Sequence, residues 1–486
     1  MTIPLPILNH TFDEEQGFPT PPRVEPRRVS VHEYVAMALM AFGLVFFVLN
    51  CIALSSDDNA PTWNGFLLSF GLMIPGGLAF WWARYRGTAR GIKHDNTWFS
   101  STQARGLIGW GLGLFLTAFY VVLYWYNDLQ NSALNMPALF KGPIRTLDPL
   151  ALALTKSPAD QWFLYGFLYT VLVLVMGVRM YWRYRHSTYH LIRTTSVMFF
   201  QLGLAFMLPG ILKATENPEY YFTYFWPLKP EYSFPGQTER LWTIGTVGQF
   251  MVIFSAVAIL ILTPVLTYFF GKRWYCSWVC GCGGLAETLG DPWRQLSSKS
   301  KAAWRVERVL IHSVLVVIVA LTGLLWLNNA MGNEILGDFT GAVTRGYFFV
   351  IVNIFSGVVG VGFYPLMGSR VWCRFGCPMA AILGLLQRYF SRFRITTNGD
   401  QCMSCGNCST YCEMGIDVRA YAQRGENIVR ASCVGCGICA AVCPRGVLKL
   451  ENGGPEPDRY TSVGGPLSQA IADIRNGADP HRNPSR

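Results

Sequence analysis

Fourteen cysteines stand in this chain, and eight of them fall in one short stretch: Cys402, Cys405, Cys408, Cys412, Cys433, Cys436, Cys439 and Cys443. The pattern is C-x2-C-x2-C-x3-C, written twice, with Pro444 directly after the last cysteine. Thiolates are soft ligands, and spacings this short wrap a tight loop around one corner of a [4Fe–4S] cube. Two other cysteine chemistries fit less well. A disulfide framework belongs to small secreted domains, whereas this chain has 486 residues and is 51% hydrophobic. Zinc knuckles take two C-x2-C pairs rather than two four-cysteine runs.

Together the runs resemble the bacterial two-cluster ferredoxins, in which each run gives three thiolates to its own cube and the fourth to the other. The resemblance implies one cube on Cys402, Cys405, Cys408 and Cys443 and a second on Cys433, Cys436, Cys439 and Cys412, in a domain over 395–450. A proline is expected after each run. The first run ends Cys412-Glu413 instead, a departure that changes the surroundings of one cube and removes no ligand.

A second set of cysteines lies in two stretches that repeat. Gly271-Lys-Arg-Trp-Tyr-Cys276-Ser-Trp-Val-Cys280 and Gly368-Ser-Arg-Val-Trp-Cys373-Arg-Phe-Gly-Cys377-Pro378 share G-x-R-x-aromatic-C-x3-C at a constant offset. Leu285 and Leu289 then match Ile382 and Leu386. Each unit is expected to be a helical hairpin ending in a dithiol, an internal repeat. On a helix the x3 spacing puts both thiols of a pair on one face. Brought together, Cys276, Cys280, Cys373 and Cys377 suit a soft metal or another cluster, or two reversible dithiols; as plain buried residues they would pack as small hydrophobes. The repeat keeps the pairs while their surroundings change, which favours a function. Cys282 has no counterpart in the second unit, and Cys51 reads as packing.

The elements that carry these residues are apolar throughout. Only 14% of the chain is charged, its mean hydropathy is +0.27, and it holds 16 Trp. Eight apolar runs of about 20 residues recur, near 33–54, 65–83, 106–126, 162–181, 195–212, 243–269, 308–330 and 345–366, each long enough for a hydrocarbon core of about 30 Å. The expected fold is an all-α polytopic membrane protein of about eight transmembrane helices with a C-terminal ferredoxin domain. Its parts are a flexible N-terminal tail (1–32), five helices (33–242), three more with the dithiol repeats (243–390), the ferredoxin domain (395–450), and a tail (451–486) with a short helix over Pro466–Arg475. The first apolar run is a full span rather than a signal peptide.

The net charge of +11 does not point to nucleic acid, because the basic residues gather at alternate ends of the spans. Arg23, Arg27 and Arg28 precede the first span; Arg84, Arg86, Arg90 and Lys93 follow the second; Arg183, Arg185 and Arg193 lie between the fourth and fifth; Lys272, Arg273, Arg294, Lys299, Lys301 and Arg305 lie between the sixth and seventh. The positive-inside rule then predicts both termini and the ferredoxin domain on the cytoplasmic side of a bacterial inner membrane.

Dithiol hairpins followed by a twin-cluster domain resemble the membrane polyferredoxin superfamily. It includes the nitrous-oxide-reductase regulatory protein, the membrane subunit of the nitrate-reductase quinol dehydrogenase and the cytochrome-oxidase accessory protein. The resemblance covers about 243–450. Its usual motif is C-x3-C-P, which Cys377-Pro378 obeys and Cys280-Gly281 does not. The regulatory protein's periplasmic flavin-binding domain has no room in loops of at most about 35 residues, and only a short tail follows Leu450 where the accessory protein carries an immunoglobulin-like domain. The resemblance implies a quinol dehydrogenase-like or metal reductase-like component that relays electrons between a membrane donor, quinol or the interfacial thiols, and a partner redox protein or metalloenzyme. A copper-reducing or maturation factor and a redox-sensing scaffold are the alternatives.

Three histidines complete the candidates. His186 and His190 stand i, i+4 in a basic loop after the fourth span, and His312 falls just inside the seventh, where an ionisable group suits a proton-coupled quinone site. Replacing Cys405 and Cys436 by serine is expected to abolish both [4Fe–4S] signals in electron paramagnetic resonance (EPR) spectra; full retention of both would remove these residues from the ligand set.

Overall fold

The structure, a computed structural model, describes residues 29–56, 59–85, 105–130, 137–337, 339–398 and 401–452. The expected tails before residue 29 and after 452, the Pro466–Arg475 helix, and Arg23, Arg27, Arg28, Arg86, Arg90 and Lys93 lie outside the described residues. Twelve helices organise the account: α1 (Val31–Ala53), α2 (Trp63–Arg84), α3 (Leu107–Tyr124), α4 (Gln161–Arg183), α5 (Thr188–Ala214), α6 (Thr246–Phe270), α7 (Arg273–Cys276), α8 (Gly281–Thr288), α9 (Lys301–Ala330), α10 (Phe339–Val359), α11 (Val371–Phe375) and α12 (Pro378–Phe390). Eight of these, α1 to α6 with α9 and α10, are long and apolar enough to cross a membrane. The chain is a multi-pass helical membrane protein.

Local chemistry starts and bends these helices. Ser30 caps α1 in a capping box, accepting from Glu33 N while Glu33 Oε2 accepts from Ser30 N at 2.8 Å. Three spans contain π-helical stretches, Phe200–Met207 in α5, Ala258–Leu262 in α6 and Phe348–Val359 in α10. Such wide turns are often found beside functional sites.

The dithiol repeat is real in three dimensions but is not two continuous helices. In each unit a glycine in the left-handed region (Gly271, φ 67°; Gly368, φ 96°) ends the preceding helix, and a short helix, α7 or α11, carries the first cysteine. The second cysteine, Cys280 or Cys377, is then the N-cap of α8 or α12. Pro378 occupies the first turn of α12, where its missing N–H costs nothing. The two thiols of a pair are therefore brought near each other by a turn, not by a shared helix face.

The segment between α5 and α6 does not stay outside the bundle. Tyr220 Oη donates to Met251 O at 3.0 Å and bonds Ser255 Oγ, well inside α6, and Trp226 Nε1 donates to Thr322 Oγ1 of α9 at 3.1 Å. Past the far end of α6, Tyr275 Oη donates to Thr223 O, and its ring lies 5.5 Å from Phe225. At 1.5 Å per residue, the 25-residue α6 is about 37 Å long. Segments flanking its opposite ends meet because the one before α6 turns into the bundle, as the Tyr220 bonds show.

The C-terminal domain closes on an antiparallel pair, β1 (Arg394–Thr397) with β2 (Leu448–Glu451), and packs directly on the hairpins. Gln387 Nε2 donates to Arg430 O and Cys433 O at 2.8 Å, Ser277 Oγ to Val434 O at 2.9 Å, and Tyr189 Oη to Gly435 O at 2.7 Å.

A buried ionic network completes this dock. Asp291 accepts from Arg179 at 2.9 Å, Arg183 at 2.7 Å, Tyr184 at 3.1 Å and Arg294 at 3.2 Å. Arg294 also bonds Glu413 at 2.8 Å, Arg370 bridges Glu413 at 3.1 Å and Glu287, and Arg193 pairs with Glu287 at 2.6 Å. Glu413, where a proline is usual, is fully buried. Burial alone would raise the carboxyls of Glu413 and Asp291, but their arginines hold both below the ordinary range. For a depressed carboxylate the sign is fixed: the stabilisation is complete above the unfolded pKa, near 4, and is lost as pH falls through the folded value. Glu413→Gln keeps the shape and leaves Arg294 and Arg370 buried, so a loss of about 3–5 kcal/mol is expected, read as a lower thermal midpoint of the detergent-solubilised protein. Glu426→Gln, in an exposed pair with Arg424, should leave that midpoint in place.

Candidate functional site

Two small cavities lie in the C-terminal domain. One is lined by Cys402, Cys405, Cys408 and Cys443, with Arg419 and Pro444; the other by Cys412, Cys433, Cys436 and Cys439, with Glu413 and Val434. The loops around them are built alike. Ser404 (φ 58°) and Gly406 (φ 78°) in the first match Gly435 (φ 62°) and Gly437 (φ 81°) in the second, and a one-turn helix follows each. Left-handed residues between the cysteines turn successive N–H groups inward, a concavity suited to an anion. Ser404 holds the strained position without being glycine, and its hydroxyl accepts from Gln423. Beyond the loops, Ile416 N donates to Cys412 Sγ at 3.4 Å.

Burial pushes the thiols of Cys408 and Cys433 up to about 11. Bare, they are protonated at neutral pH; iron binding is what holds such groups as thiolates. The soft donor set, the inward N–H groups and the apolar walls all fit [4Fe–4S] clusters. Cys405 alone of the eight is exposed, so the first cavity faces outward. The second is covered by the dock: Arg193 donates to Cys436 O, and Lys272 Nζ to Ala431 O at 3.3 Å.

Cys276, Cys280, Cys373 and Cys377 are all buried and near enough to act on one another electrostatically. Burial raises Cys276 to about 12. Arg370 Nη1 donates to Cys276 O at 3.0 Å and lies 3.7 Å from Cys373 Sγ, while Ala380 N donates to Cys377 Sγ at 3.4 Å. The N-termini of α8 and α12 both begin at this group, so two positive helix ends face it. Gly281 allows Tyr224 Oη and Gln201 Oε1 to approach the turn, where a Cβ would strike them. Among the described residues no three His, Cys, Asp or Glu side chains converge on a single-ion site.

The other candidates separate. His186 is exposed, whereas His190 is buried, with Nδ1 2.8 Å from Ser187 Oγ and its ring stacked 4.9 Å from Tyr184, against Gly437 of the second cysteine loop. His312 lies on the exposed outer face of α9, away from the buried thiols. Cys51 packs with its Sγ 3.8 Å from Thr146 Oγ1. Sequence reading missed Glu287, Asp291, Glu413, Arg294 and Arg370 as parts of the site. The available signals were Arg370 inside the repeated motif and the glutamate at the proline position.

Residues 252–301 and 349–397, one dithiol hairpin each, match a 4Fe-4S binding domain family, and residues 401–448 match a 4Fe-4S dicluster domain family. YccM of Escherichia coli strain K12, named "Putative electron transport protein", is 25% identical over 186 residues, 35% of this chain and 50% of its own length. The ferredoxin-type protein NapH of the same organism is 28% identical over 31% of this chain and 51% of its own. The methylamine utilization ferredoxin-type protein MauN of Methylobacillus flagellatus is 27% identical over 30% and 50%. The chain thus spans about half the length of these relatives. No solved structure matches it. With eight helices long and apolar enough to cross a membrane among the described residues, paired dithiol hairpins and a dicluster ferredoxin domain, the chain is similar to the membrane-associated polyferredoxin-type electron transport proteins.

Proposed function

We propose that the chain relays electrons between a membrane-phase donor, an isoprenoid quinol, and a soluble redox partner. Cys402, Cys405, Cys408 and Cys443 hold one [4Fe–4S] cluster, Cys433, Cys436, Cys439 and Cys412 a second, and Cys276, Cys280, Cys373 and Cys377 a third. When bound, such clusters supply one-electron redox chemistry. The chain's own part is to hold them near one another, keep water from the inner two and leave the outer one accessible.

One observation carries this reading: the three four-cysteine groups follow in succession. The hairpin with Cys276 is bonded through Ser277 Oγ to the loop of Cys433 and Cys436, Cys439 lies within electrostatic reach of Cys408, and Cys405 of the outer group is exposed. A cluster is preferred to copper or another single soft ion at the dithiols, because both hairpins match a 4Fe-4S binding domain family. The names of YccM, NapH and MauN agree with electron transport. The Lys and Arg residues on the ferredoxin side support a cytoplasmic position for that domain; a partner would dock over the exposed Cys405 loop.

Anaerobically purified protein with both Cys276 and Cys373 replaced by serine is expected to lose about a third of its iron while keeping the EPR signals of the ferredoxin domain. Unchanged iron content would reduce the count to two clusters. Reduced quinol added to the intact protein should bring up the cluster signals, and silence there would sink the relay.

A further inference from the structure

The two dithiol hairpins differ at one position that the cysteine motif does not explain. The left-handed Gly271 is followed by Lys272, and its counterpart Gly368 by Ser369. Lys272 is only 1% exposed, and a lysine is almost never fully buried unless it is paired. The other buried cations of this region meet carboxylates. Arg193 and Arg370 meet Glu287, and Arg294 meets Asp291 and Glu413. Among the described residues Lys272 has no carboxylate partner. Its Nζ donates to Ala431 O at 3.3 Å, a carbonyl that carries no compensating charge.

The side chain joins two cysteine groups. At its root, Lys272 stands one turn before Cys276, whose N donates to Lys272 O at 3.0 Å. At its tip, Ala431 stands two residues before Cys433. Gln387 of α12 fixes the crossing: its Oε1 accepts from Lys272 N at 2.7 Å while its Nε2 donates to Cys433 O at 2.8 Å. The charge of Lys272 acts on Cys276 and Cys373 on one side and on Cys433 on the other. Cys408 of the outer group answers instead to Cys402, Cys405 and Cys443. Ser369, in the matching place of the second hairpin, packs against Gly290. A buried cation without a carboxylate destabilises the fold unless another anion stands beside it. Metal-bound thiolates on both sides are such anions.

We infer that Lys272 is a positioning residue, its ammonium the shared counter-charge of the dithiol group and of the group of Cys412, Cys433, Cys436 and Cys439. The inference rests on the cluster reading above and names what sets the potential of the two inner clusters. Each electron added makes a cluster more negative, and a fixed cation in a dry setting favours the reduced form. In the step it assists, one electron leaves one cluster and enters the other, and no proton moves. Because the charge stands between them, it favours an electron on either.

The test is an EPR-monitored redox titration of the anaerobically purified full-length protein, with Cys405→Ser and Cys436→Ser assigning the outer and second signals. Lys272→Met removes charge and donor, Lys272→Gln removes the charge and keeps a donor, and Lys272→Arg keeps both. Met and Gln are each expected to lower the reduction equilibrium of the second cluster about tenfold, about 59 mV for one electron. The outer cluster should stay in place, and Arg should restore the second. Unmoved potentials with a lower thermal midpoint would make Lys272 a mere tether to Ala431 and overturn the inference. An equal shift at the outer cluster would overturn it too. Should Lys272→Met lose its iron, the Gln and Arg variants decide. Failure of the cluster reading shows separately: unchanged iron after loss of Cys276 and Cys373 removes the third cluster and the dithiol half of the inference. The second cluster's midpoint still decides the rest. Full iron with unmoved midpoints leaves the relay standing and removes Lys272.

Discussion

The constraint on which everything else depends is the burial of charge between the span bundle and the C-terminal domain. Glu287, Asp291 and Glu413 are almost wholly out of water, as are Arg179, Arg193, Arg294 and Arg370. Removing such groups from solvent costs several kcal/mol each, and that cost is offset only when every partner is in position. Arg370 shows how tightly the parts are tied: one guanidinium meets Glu287 of the first hairpin, Glu413 of the ferredoxin domain and the Cys276 carbonyl. No one of these three elements can swing away without stranding charge in the others. The domain is therefore not a mobile head on a tether. It is a fixed face of the bundle, and the relation between the dithiols and the second cysteine group is set with it.

That rigidity has an electrostatic sense. Among the described residues five guanidinium groups meet three carboxylates in the network, beside the group of Cys412, Cys433, Cys436 and Cys439, which would be anionic as metal-bound thiolates. Positive charge held in a dry setting favours an anion far more than it would in water, and the N-termini of α8 and α12 act in the same sense at the dithiols. The network thus links two tasks, holding the domains together and making room for negative charge.

Much of this was legible in the sequence, and what was not has a common cause. The cysteine runs are local patterns, with spacings dictated by the geometry of one loop, and the spans are composition written over about 20 residues; both survive without tertiary information. The grouping of Cys443 with the first run in one cavity follows the interleaving that the ferredoxin resemblance implies. Glu413 was visible only as an anomaly, because its partners Arg294 and Arg370 are 119 and 43 residues away in the chain. The inward turn of 215–234 was hidden for another reason. A segment of tyrosines, prolines and a few charges reads as an outer loop, and only the pairing of Tyr220 with Ser255 and of Tyr275 with Thr223 reveals its depth. The dithiols misled in a third way. Their x3 spacing is helical, yet a left-handed glycine before each pair and a second cysteine acting as N-cap break the helix between them.

The first five spans then cease to look like an appendage. They lie outside the family matches, but α4 supplies Arg179 and Arg183 to Asp291, α5 supplies Arg193 to Glu287, and Tyr189 and His190 press on the loop of Gly435 and Gly437. Two acids of the matched half, Asp291 and Glu287, thus draw part of their balancing charge from arginines of the unmatched half. A version of this chain lacking α4 and α5 would leave Asp291 and Glu287 buried with fewer cations and open the covered side of the second cysteine cavity. The N-terminal half is best understood as the part that completes this charge balance.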